Sequence, residues 1–551
     1  MMGGYDQTLE PFLWRAETIY PDREVVARTH EGINRYTYAE YADRTRQLAN
    51  ALDGFGIGEG DRVGTFCWNH DRHFETYFGV PNMGAQLHTI NPLLPDKHIQ
   101  HIVEDASDRL IFLDPSLAEK LGSASDPDAF ESVEQFVVVG STVPDVSLEP
   151  LTDYESFVSD QSTEYDWPEL SEDDMAGMCY TSGTTGKPKG VEYTQQMMWS
   201  HTMAMLTPQA LGIEDSDVVM PVVPMFHVNA WGMPFTATAA GAKQVFPGPA
   251  PEPADLASLI EEEGVTITAG VPTVWLGLLE YMKENEVDLS SLEQIVIGGA
   301  AAPKAVIEQY DEFGVDVIHA WGMTETSPVG TVSRLTPALT DAAFDTKVDK
   351  WGKQGLIMPG IEFKVVDDDG SEIPHDGEAF GELLVRGPWV TTEYYERPHA
   401  NETDFDGSWL RTGDIVTVDD DGYIEIVDRA EDVIKSGGEW ISSQELENAI
   451  MAHEDVSEAA VIGVDHDRWQ ERPVAMIVVA DDVDREMLTD ELKTMLQEEY
   501  PKWWLPDGFE FIDEIPKTAT GKFSKMDLRE QYEGKELLEE DAPADAAPED
   551  D

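Results

Sequence analysis

The sequence predicts an α/β fold: a large N-terminal domain of layered α/β sheets with a small β subdomain, followed by a small α+β C-terminal domain. Three observations support this prediction. The chain has 551 residues, too many for one hydrophobic core. In its first half, short apolar runs typical of strands alternate with helical patterns, as in parallel sheets covered by helices. Near Trp351 the pattern changes to closely spaced strands and turns, and a second α/β pattern follows.

The N-terminal domain is predicted over residues 1–427. An amphipathic helix is predicted over 38–52, and a strand over 62–68 follows it. Further strands are predicted wherever an apolar run is bounded by turn residues. These runs are 110–113, 136–139, 176–181, 244–246, 265–269, 294–298 and 315–320.

The last part of that domain, about 351–427, is predicted to be a mostly antiparallel subdomain, because its strands are joined at turns such as Asp369-Gly370 and Asp421-Gly422. A domain boundary is expected at 428–432 and a C-terminal domain at 433–533. In that domain we predict helices at 443–452 and 485–500 and strands at 456–464 and 474–479. Residues 534–551 are mostly Asp, Glu, Ala and Pro, and we predict a disordered acidic tail there.

The charge balance limits the partners. Asp and Glu number 109 against 36 Lys and Arg, a net charge of −73 at pH 7. A field of this sign repels nucleic-acid phosphate and anionic lipid, so neither is an expected partner. Because the acids are spread along most of the chain, we interpret them as a surface adapted to high salt, where at about 1 M the Debye length is roughly 3 Å. This interpretation predicts a halophilic cytoplasm, and an acidic surface for a basic protein partner is the alternative.

Neither a disulfide nor a membrane span is predicted. Cys67 and Cys179 lie in apolar segments typical of buried core. The beginning of the chain carries acids and lacks the basic and apolar regions of a signal peptide. Residues 218–242 contain no Asp, Glu, Lys or Arg, but three prolines with His227 and Asn229 favour buried strand and loop over a spanning helix.

The strongest motif is the loop 180–190, with the sequence YTSGTTGKPKG. Its hydroxyls, glycines and lysines can surround phosphate oxygens with backbone N–H groups, side-chain O–H groups and positive charge. It is not a Walker loop, whose glycines are further apart than Gly183 and Gly186 and whose lysine precedes Ser or Thr rather than Pro188. A polar surface turn is the alternative for such a loop taken alone. The residues expected at the phosphates are Thr181, Ser182, Gly183, Thr184, Thr185, Gly186 and Lys189.

This loop resembles the phosphate-binding signature of the adenylate-forming (AMP-binding) superfamily, which includes acyl-CoA synthetases, peptide-synthetase adenylation domains and beetle luciferases. Further segments resemble the family's other motifs, in the family's order along nearly the whole chain. They are Gly84-Ala85 with Asn91-Pro92, the acyl-site segment 224–231, Gly298-Gly299-Ala300 beside the adenine, the aromatic-Gly-x-Thr-Glu box at 321–326, the ribose elements 412–414 and 428–429, and 435–439 with 520–522 in the second domain.

The resemblance implies ATP-dependent activation of a carboxylic acid. The carboxylate attacks the α-phosphorus of ATP, giving an acyl-adenylate and pyrophosphate, so Mg²⁺ and a cation are needed where charge develops. By resemblance, Glu325 and the Thr181 hydroxyl hold Mg²⁺. Thr324 donates to the α-phosphate, and Lys522 bridges the carboxylate and the α-phosphate. The residues implied at the nucleoside are Asp414 and Arg429 for the ribose and Gly299, His319, Ala320 and Trp321 for the purine.

Coenzyme A is the implied acceptor of the acyl group, since no carrier domain follows Lys522 in the sequence. The family's small domain rotates between the two half-reactions about a residue that is Glu431 here, where Asp or Lys is more usual. The resemblance therefore implies a hinge at 428–432 and a mobile C-terminal domain at 433–533. Gly437 and Gly438 would then admit the pantetheine arm of CoA. The resemblance also places Lys435 and Trp440 near the nucleotide and the domain interface.

The identity of the carboxylic acid substrate is the least determined part of the prediction. His227 is assigned to substrate positioning, and Trp231 is assigned as a gate of the acyl tunnel. The motifs at 227–231 and 437–440 resemble those of homodimeric bacterial long-chain fatty acyl-CoA synthetases, which implies a medium- or long-chain fatty acid and a homodimer. Residues 222–236 and 269–279 are largely apolar and contain no acid that would hold the α-amino group of an amino acid.

Simpler explanations stay open for each residue taken alone. Glu325 could be one more surface acid, Asp414 could form an Asx turn, and Lys522 could be a solvated lysine. His227, Trp231 and Trp440 could each serve only as packing residues, with no part in the site. For the whole chain, the alternatives are a CoA ligase for a short-chain or aryl acid, an adenylating enzyme serving a carrier protein, and a degenerate family member that binds without turnover.

Overall fold

The computed structural model describes residues 5–122, 130–140, 143–181, 187–436, 439–453, 455–466, 468–480, 483–517 and 523–532. The predicted tail at 534–551 lies outside these residues. The largest sheet has nine strands, parallel in its middle and antiparallel at both ends. Its central strands are fully buried, which explains why they are short apolar runs rather than alternating patterns. In spatial order the strands are Leu356–Ile357, Val329–Val332, Asp316–Gly322, Gln294–Ile297, Ile267–Gly270, Val218–Pro221, Lys243–Phe246, Glu24–Thr29 and Gly32–Thr37.

A second sheet, of seven strands, carries the predicted phosphate loop. Its strands are parallel except for the last pair, which is antiparallel. In the sequence the phosphate loop lies between the two strands of that last pair, and its described ends, Thr181 and 187–189, adjoin the edge of the sheet. In spatial order the strands are Leu151–Asp153, Gln135–Val138, Leu110–Leu113, Arg62–Phe66, Gln86–Thr89, Met175–Tyr180 and Gly190–Thr194.

Helices cover both sheets, as the alternating pattern predicts. The helix predicted over 38–52 runs from Tyr38 to Phe55: Thr37 and Glu40 form a capping box at its start, and Gly56 ends it in the left-handed conformation. Among the described residues, every helix is too short or too polar to cross a membrane. The α-helices of this part are Glu10–Ile19, Tyr38–Phe55, Asp71–Gly79, Asp96–Ala106, Ala118–Gly122, Tyr154–Val158, Gln195–Met205, Met233–Ala240, Pro253–Glu263, Pro272–Met282, Lys304–Glu312 and Phe344–Gly352.

A five-stranded antiparallel sheet lies in the region predicted as a β subdomain. Its strands are Glu362–Val366, Phe380–Arg386, Phe405–Asp406, Trp409–Val418 and Ile424–Arg429, with the helix Pro398–Thr403 between the second and third. The strand Leu356–Ile357 joins the nine-stranded sheet instead. The strand Ile424–Arg429 continues into the segment predicted as the hinge, because Asp414 pairs with Arg429 in the ladder.

The C-terminal part has its own five-stranded sheet and its own core. The strands are Ile434–Ser436, Glu439–Ile441, Val456–His466, Gln470–Val479 and Gly508–Phe511, and the helices are Ser443–Met451, Arg485–Glu499 and Lys525–Tyr532. The strand predicted over 474–479 begins earlier, at Gln470, because it pairs with Val456–His466 along its whole length. Both cysteines of the chain are buried free thiols in the N-terminal part, as predicted.

Candidate active site

A cavity of about 500 Å³ brings together residues that are far apart in the sequence. Its walls are the ends of the strands Gln294–Ile297 and Asp316–Gly322, the hairpin of the phosphate loop and the antiparallel subdomain. Loops that follow parallel strands collect at one edge of a sheet, which explains the convergence. The predicted site residues that line this cavity are Thr181, Lys189, His227, Trp231, Gly299, Ala320, Trp321, Thr324, Glu325, Arg429 and Glu431.

The Thr-Glu-Thr turn is fixed by three contacts from other segments. It is a short 3₁₀ turn, Thr324–Thr326, whose residues are all buried. The hydroxyl of Tyr193 donates to the carbonyl oxygen of Thr324 over 2.8 Å, and the backbone N–H of Thr391 donates to that of Glu325 over 2.8 Å. The side chain of Glu325 accepts a hydrogen bond from the hydroxyl of Tyr394 over 2.7 Å. Glu325 is therefore a buried, oriented carboxylate and not a solvated surface acid.

Tyr394 is a site residue that the sequence analysis missed. It is buried, and burial beside Glu325 raises the pKa of its phenol far above the ordinary value, so the phenol remains a donor. The signal was weak: an aromatic pair, Tyr394-Tyr395, in an otherwise polar stretch.

The ribose-side residues form a buried hydrogen-bonded group. Asp414 is only 2% exposed and accepts from Trp321 Nε1 over 2.9 Å, and its other oxygen lies 3.0 Å from Arg429 Nη1. The charge of Asp414 is the main reason that the pKa of Arg429 is raised. The backbone N–H of Asp414 donates to the hydroxyl of Thr412 over 3.1 Å. Trp321 and Arg429 line the cavity, whereas Asp414 is not among its lining residues and is held next to it as a fixed, buried anion.

The acyl-side segment has an unusual backbone. Val228, Asn229, Ala230 and Trp231 have φ between 44° and 54°, a left-handed turn that continues into Gly232. Each non-glycine residue in this conformation costs roughly 1–2 kcal/mol, and such runs persist only where the surroundings hold them. The turn directs the indole of Trp231 against Gly298, where an added Cβ would lie 2.9 Å from the ring. Trp231 thereby forms part of the cavity wall on this side.

On the phosphate side of the cavity, the ammonium group of Lys189 is paired with an acidic residue. Thr181 and Lys189 close the hairpin, and the backbone N–H of Lys189 donates to the Thr181 hydroxyl oxygen over 3.1 Å. Lys189 Nζ lies 2.6 Å from Asp404 and 4.1 Å from the centre of the Tyr394 ring. Residues 182–186 of the predicted loop lie outside the described residues.

Three predicted residues lie against other parts of the protein. The ring of His319 is buried, with Nδ1 2.8 Å from the carbonyl oxygen of Gly352, and burial lowers its pKa. Lys435 Nζ and Trp440 Nε1 both contact Asp368 of the antiparallel subdomain, at 3.1 and 3.2 Å. Lys435 and Trp440 thus lie at a contact between the two parts of the chain. The predicted residues Gly437, Gly438 and Lys522 lie outside the described residues.

Asp428, three residues before Glu431, is hydrogen-bonded to the C-terminal part. Asp428 accepts from the backbone N–H and the hydroxyl of Ser443, both over 2.6 Å. Lys525 donates to the same hydroxyl over 2.6 Å and pairs with the buried Glu447 at 2.7 Å. Sequence reasoning missed this cluster, although Ser442-Ser443 at the start of a predicted helix signals capping. These hydrogen bonds and this ion pair link the last strand of the subdomain to the C-terminal part.

Comparisons with known proteins agree along nearly the whole chain. The model of the AMP-binding enzyme family matches residues 13–395, and that of the AMP-binding enzyme C-terminal domain matches 445–522. A long-chain-fatty-acid–CoA ligase of Thermus thermophilus is 44% identical over 525 residues, 95% of each chain. A medium-chain-fatty-acid–CoA ligase of Ectopseudomonas oleovorans is 40% identical over 93% of each chain. The crystal structure of an anthranilate CoA ligase in complex with anthranoyl-AMP superposes with a TM-score of 0.81 at 28% identity, over 95% of this chain and 97% of that one.

Proposed function

The chain belongs to the AMP-binding enzyme family and is an adenylate-forming acyl-CoA ligase, and we propose that its acid is a medium- or long-chain fatty acid. In the first half-reaction a carboxylate oxygen bonds to the α-phosphorus of ATP and pyrophosphate leaves. In the second, the CoA thiolate bonds to the acyl carbon and AMP leaves. The convergence of the Thr324-Glu325 turn, Arg429 and the His227–Trp231 segment on one cavity carries the proposal, with the buried Asp414 paired to Arg429 beside it.

The described residues divide the work of the first step. Thr324 lines the cavity and would donate its hydroxyl to an oxygen of the α-phosphate, where charge develops. Asp414 would accept from the ribose hydroxyls, and its bonds to Trp321 and Arg429 keep it in one orientation. Preorganised groups of this kind stabilise charge without reorganising during the reaction.

Mg²⁺ fits the oxygen donors on the phosphate side. The Glu325 carboxylate and the Thr181 hydroxyl line the same cavity, and both are hard oxygen ligands. One oxygen of Glu325 is held by Tyr394, so the other is available to a cation. When bound, the ion would offset the negative charge of the phosphate oxygens.

Residues of the C-terminal part have proposed roles in both half-reactions. We propose that Lys522 acts in adenylation, that Glu431 is the hinge, and that Gly437 and Gly438 admit the pantetheine arm of CoA. The resemblance of these motifs supports the assignment. Lys435 and Trp440 would serve at the domain contact and approach the nucleotide only after the small domain moves.

A short-chain acid is the second candidate substrate. Trp231 is 8% exposed and lies against Gly298, from which we infer that the indole blocks the acyl side of the cavity in this conformation. A fatty acid therefore requires the indole to move, whereas a small acid does not.

We further propose that the enzyme works in a salt-rich cytoplasm and forms a homodimer. The net charge of −73 supports the first part, since unscreened acids repel each other and also repel ATP and CoA. Unfolding followed against KCl should show stability rising towards molar salt. Stability that fell or stayed constant would contradict salt adaptation. Light scattering of the native protein tests the dimer.

AMP release measured over acids from acetate to palmitate, with aryl acids included, tests the proposed substrate. We expect release that requires CoA for multiple turnovers and is fastest with a medium or long chain. Fastest turnover with acetate would favour the short-chain alternative, and fastest turnover with benzoate would favour an aryl acid. Full turnover without CoA would contradict the ligase assignment.

A further inference from the structure

The carboxylate of Glu325 has one side-chain partner that no part of the family's chemistry explains. Tyr394 donates its hydroxyl to Oε1 of Glu325 over 2.7 Å, and both side chains are at most 5% exposed. Thr391, three residues earlier, donates its backbone N–H to the carbonyl oxygen of Glu325. The segment 391–394 thus holds Glu325 at its backbone and at its side chain.

Besides the contact of its hydroxyl with Glu325, Tyr394 contacts the phosphate hairpin through the face of its ring. Lys189 Nζ lies 4.1 Å from the centre of the ring, and the same ammonium pairs with Asp404 at 2.6 Å. A cation over an aromatic face is attracted to it. Tyr394 therefore touches the residue expected to hold the metal and also a lysine expected to hold phosphate.

The backbone of Tyr394 is itself clamped. Its N–H donates to Oδ1 of Asn401 over 2.7 Å, and Nδ2 of Asn401 donates to its carbonyl oxygen over 3.0 Å. A clamped backbone leaves the hydroxyl little freedom to leave Glu325. The carboxylate is consequently fixed through one oxygen before any ligand arrives.

We propose that Tyr394 is a positioning residue for magnesium: it orients Glu325 so that the free oxygen faces the cation between the enzyme and the triphosphate of ATP. This inference rests on the proposed role of Glu325. A carboxylate that must be oriented on binding loses affinity for the ion, because its side-chain freedom is lost at that moment. Because the hydroxyl of Tyr394 already orients Glu325 before the ion binds, that loss of affinity is avoided.

Calorimetric titration with ATP, in magnesium and in EDTA without acid or CoA, tests the proposal. In the wild type, magnesium should raise ATP affinity. In Tyr394→Phe the ring and its contact with Lys189 remain, and the gain from magnesium should fall by about tenfold, the usual effect of losing a hydrogen bond to a charged group. ATP affinity in EDTA should stay within about twofold. Asn401→Ala, which frees the backbone of Tyr394, should reduce the gain in the same direction.

Tyr395→Phe is the matched control, because Tyr395 instead accepts from Arg62 over 3.2 Å and stacks with its guanidinium. This variant should keep the full magnesium gain. An unchanged gain in Tyr394→Phe, or an equal loss in EDTA, would overturn the inference. A wild type whose ATP affinity ignored magnesium would refute the role of Glu325 in the proposed function, and the inference with it.

Discussion

Acidification should destabilise the protein through His201, a buried histidine behind the acyl side of the cavity. This residue lies on the helix Gln195–Met205 and is 2% exposed. Its Nε2 accepts from the backbone N–H of Val329 over 3.3 Å, and its ring lies against Gly232, where the left-handed turn ends. Burial lowers the pKa of His201 from 6.5 to about 3.

The direction and the size of the change in folding stability follow from this lowered pKa. The folded protein disfavours the protonated imidazole, so below pH 6.5 the unfolded chain takes up a proton that the folded protein does not. The stability contributed by neutral His201 is complete above pH 6.5 and is lost as the pH falls towards 3. One proton corresponds to roughly 1.4 kcal/mol per pH unit, hence about 2 kcal/mol by pH 5.

Urea unfolding in molar KCl at pH 7, 6 and 5 measures this contribution. His201→Gln keeps an acceptor for Val329 but cannot titrate, so its stability should fall with pH less steeply than that of the wild type, by about one proton. Burial also lowers the pKa of His73 to about 3, and His73 contributes equally to the pH dependence of the wild type and of His201→Gln. The exposed His399 offers a control, and His399→Gln should leave the slope unchanged. Equal slopes for the wild type and His201→Gln would refute the reasoning.

Three further substitutions test the site and the domain contact. Lys522→Ala should lower adenylation by at least about 100-fold yet spare CoA-dependent consumption of supplied acyl-adenylate; equal loss in both assays would contradict its role. Trp231→Ala should shift kcat/KM towards longer acids by about 0.8 kcal/mol per additional buried methylene, and an unchanged chain-length profile would show that the indole only packs. Lys525→Met leaves the buried Glu447 unpaired and should cost about 3–5 kcal/mol in chemical unfolding, whereas the double variant with Glu447→Leu should recover much of it; a cost below about 1 kcal/mol would mean that the pair is solvated.

Much of the fold was predictable because its signals are local. The helix Tyr38–Phe55 carries its capping box and its terminal glycine in adjacent residues, and the buried strands are bounded by turn residues. Ends of elements that depend on distant partners were less accurate. The strand Gln470–Val479 begins before its apolar run, and Leu356–Ile357 pairs with the large sheet although its neighbours in sequence belong to the subdomain.

The left-handed turn at Val228–Trp231 could not be predicted from the sequence. Its residues are not glycines, and their intrinsic preference is against positive φ. The surrounding structure holds the backbone there, so the direction of the Trp231 indole is a property of the packed protein. The same holds for Tyr394, whose partner Glu325 lies 69 residues away.

The sequence alone determined the chemistry of this protein: the family of adenylate-forming enzymes, the layered α/β class and the residues expected at ATP. Such motifs are short, and each residue type is required by the reaction itself. The tertiary structure alone decided which of these residues share a cavity, which acid holds each cation, and which neighbours orient Glu325 and Asp414. Those contacts join segments that are distant in the chain, and their geometry depends on how the sheets, the subdomain and the C-terminal part pack together.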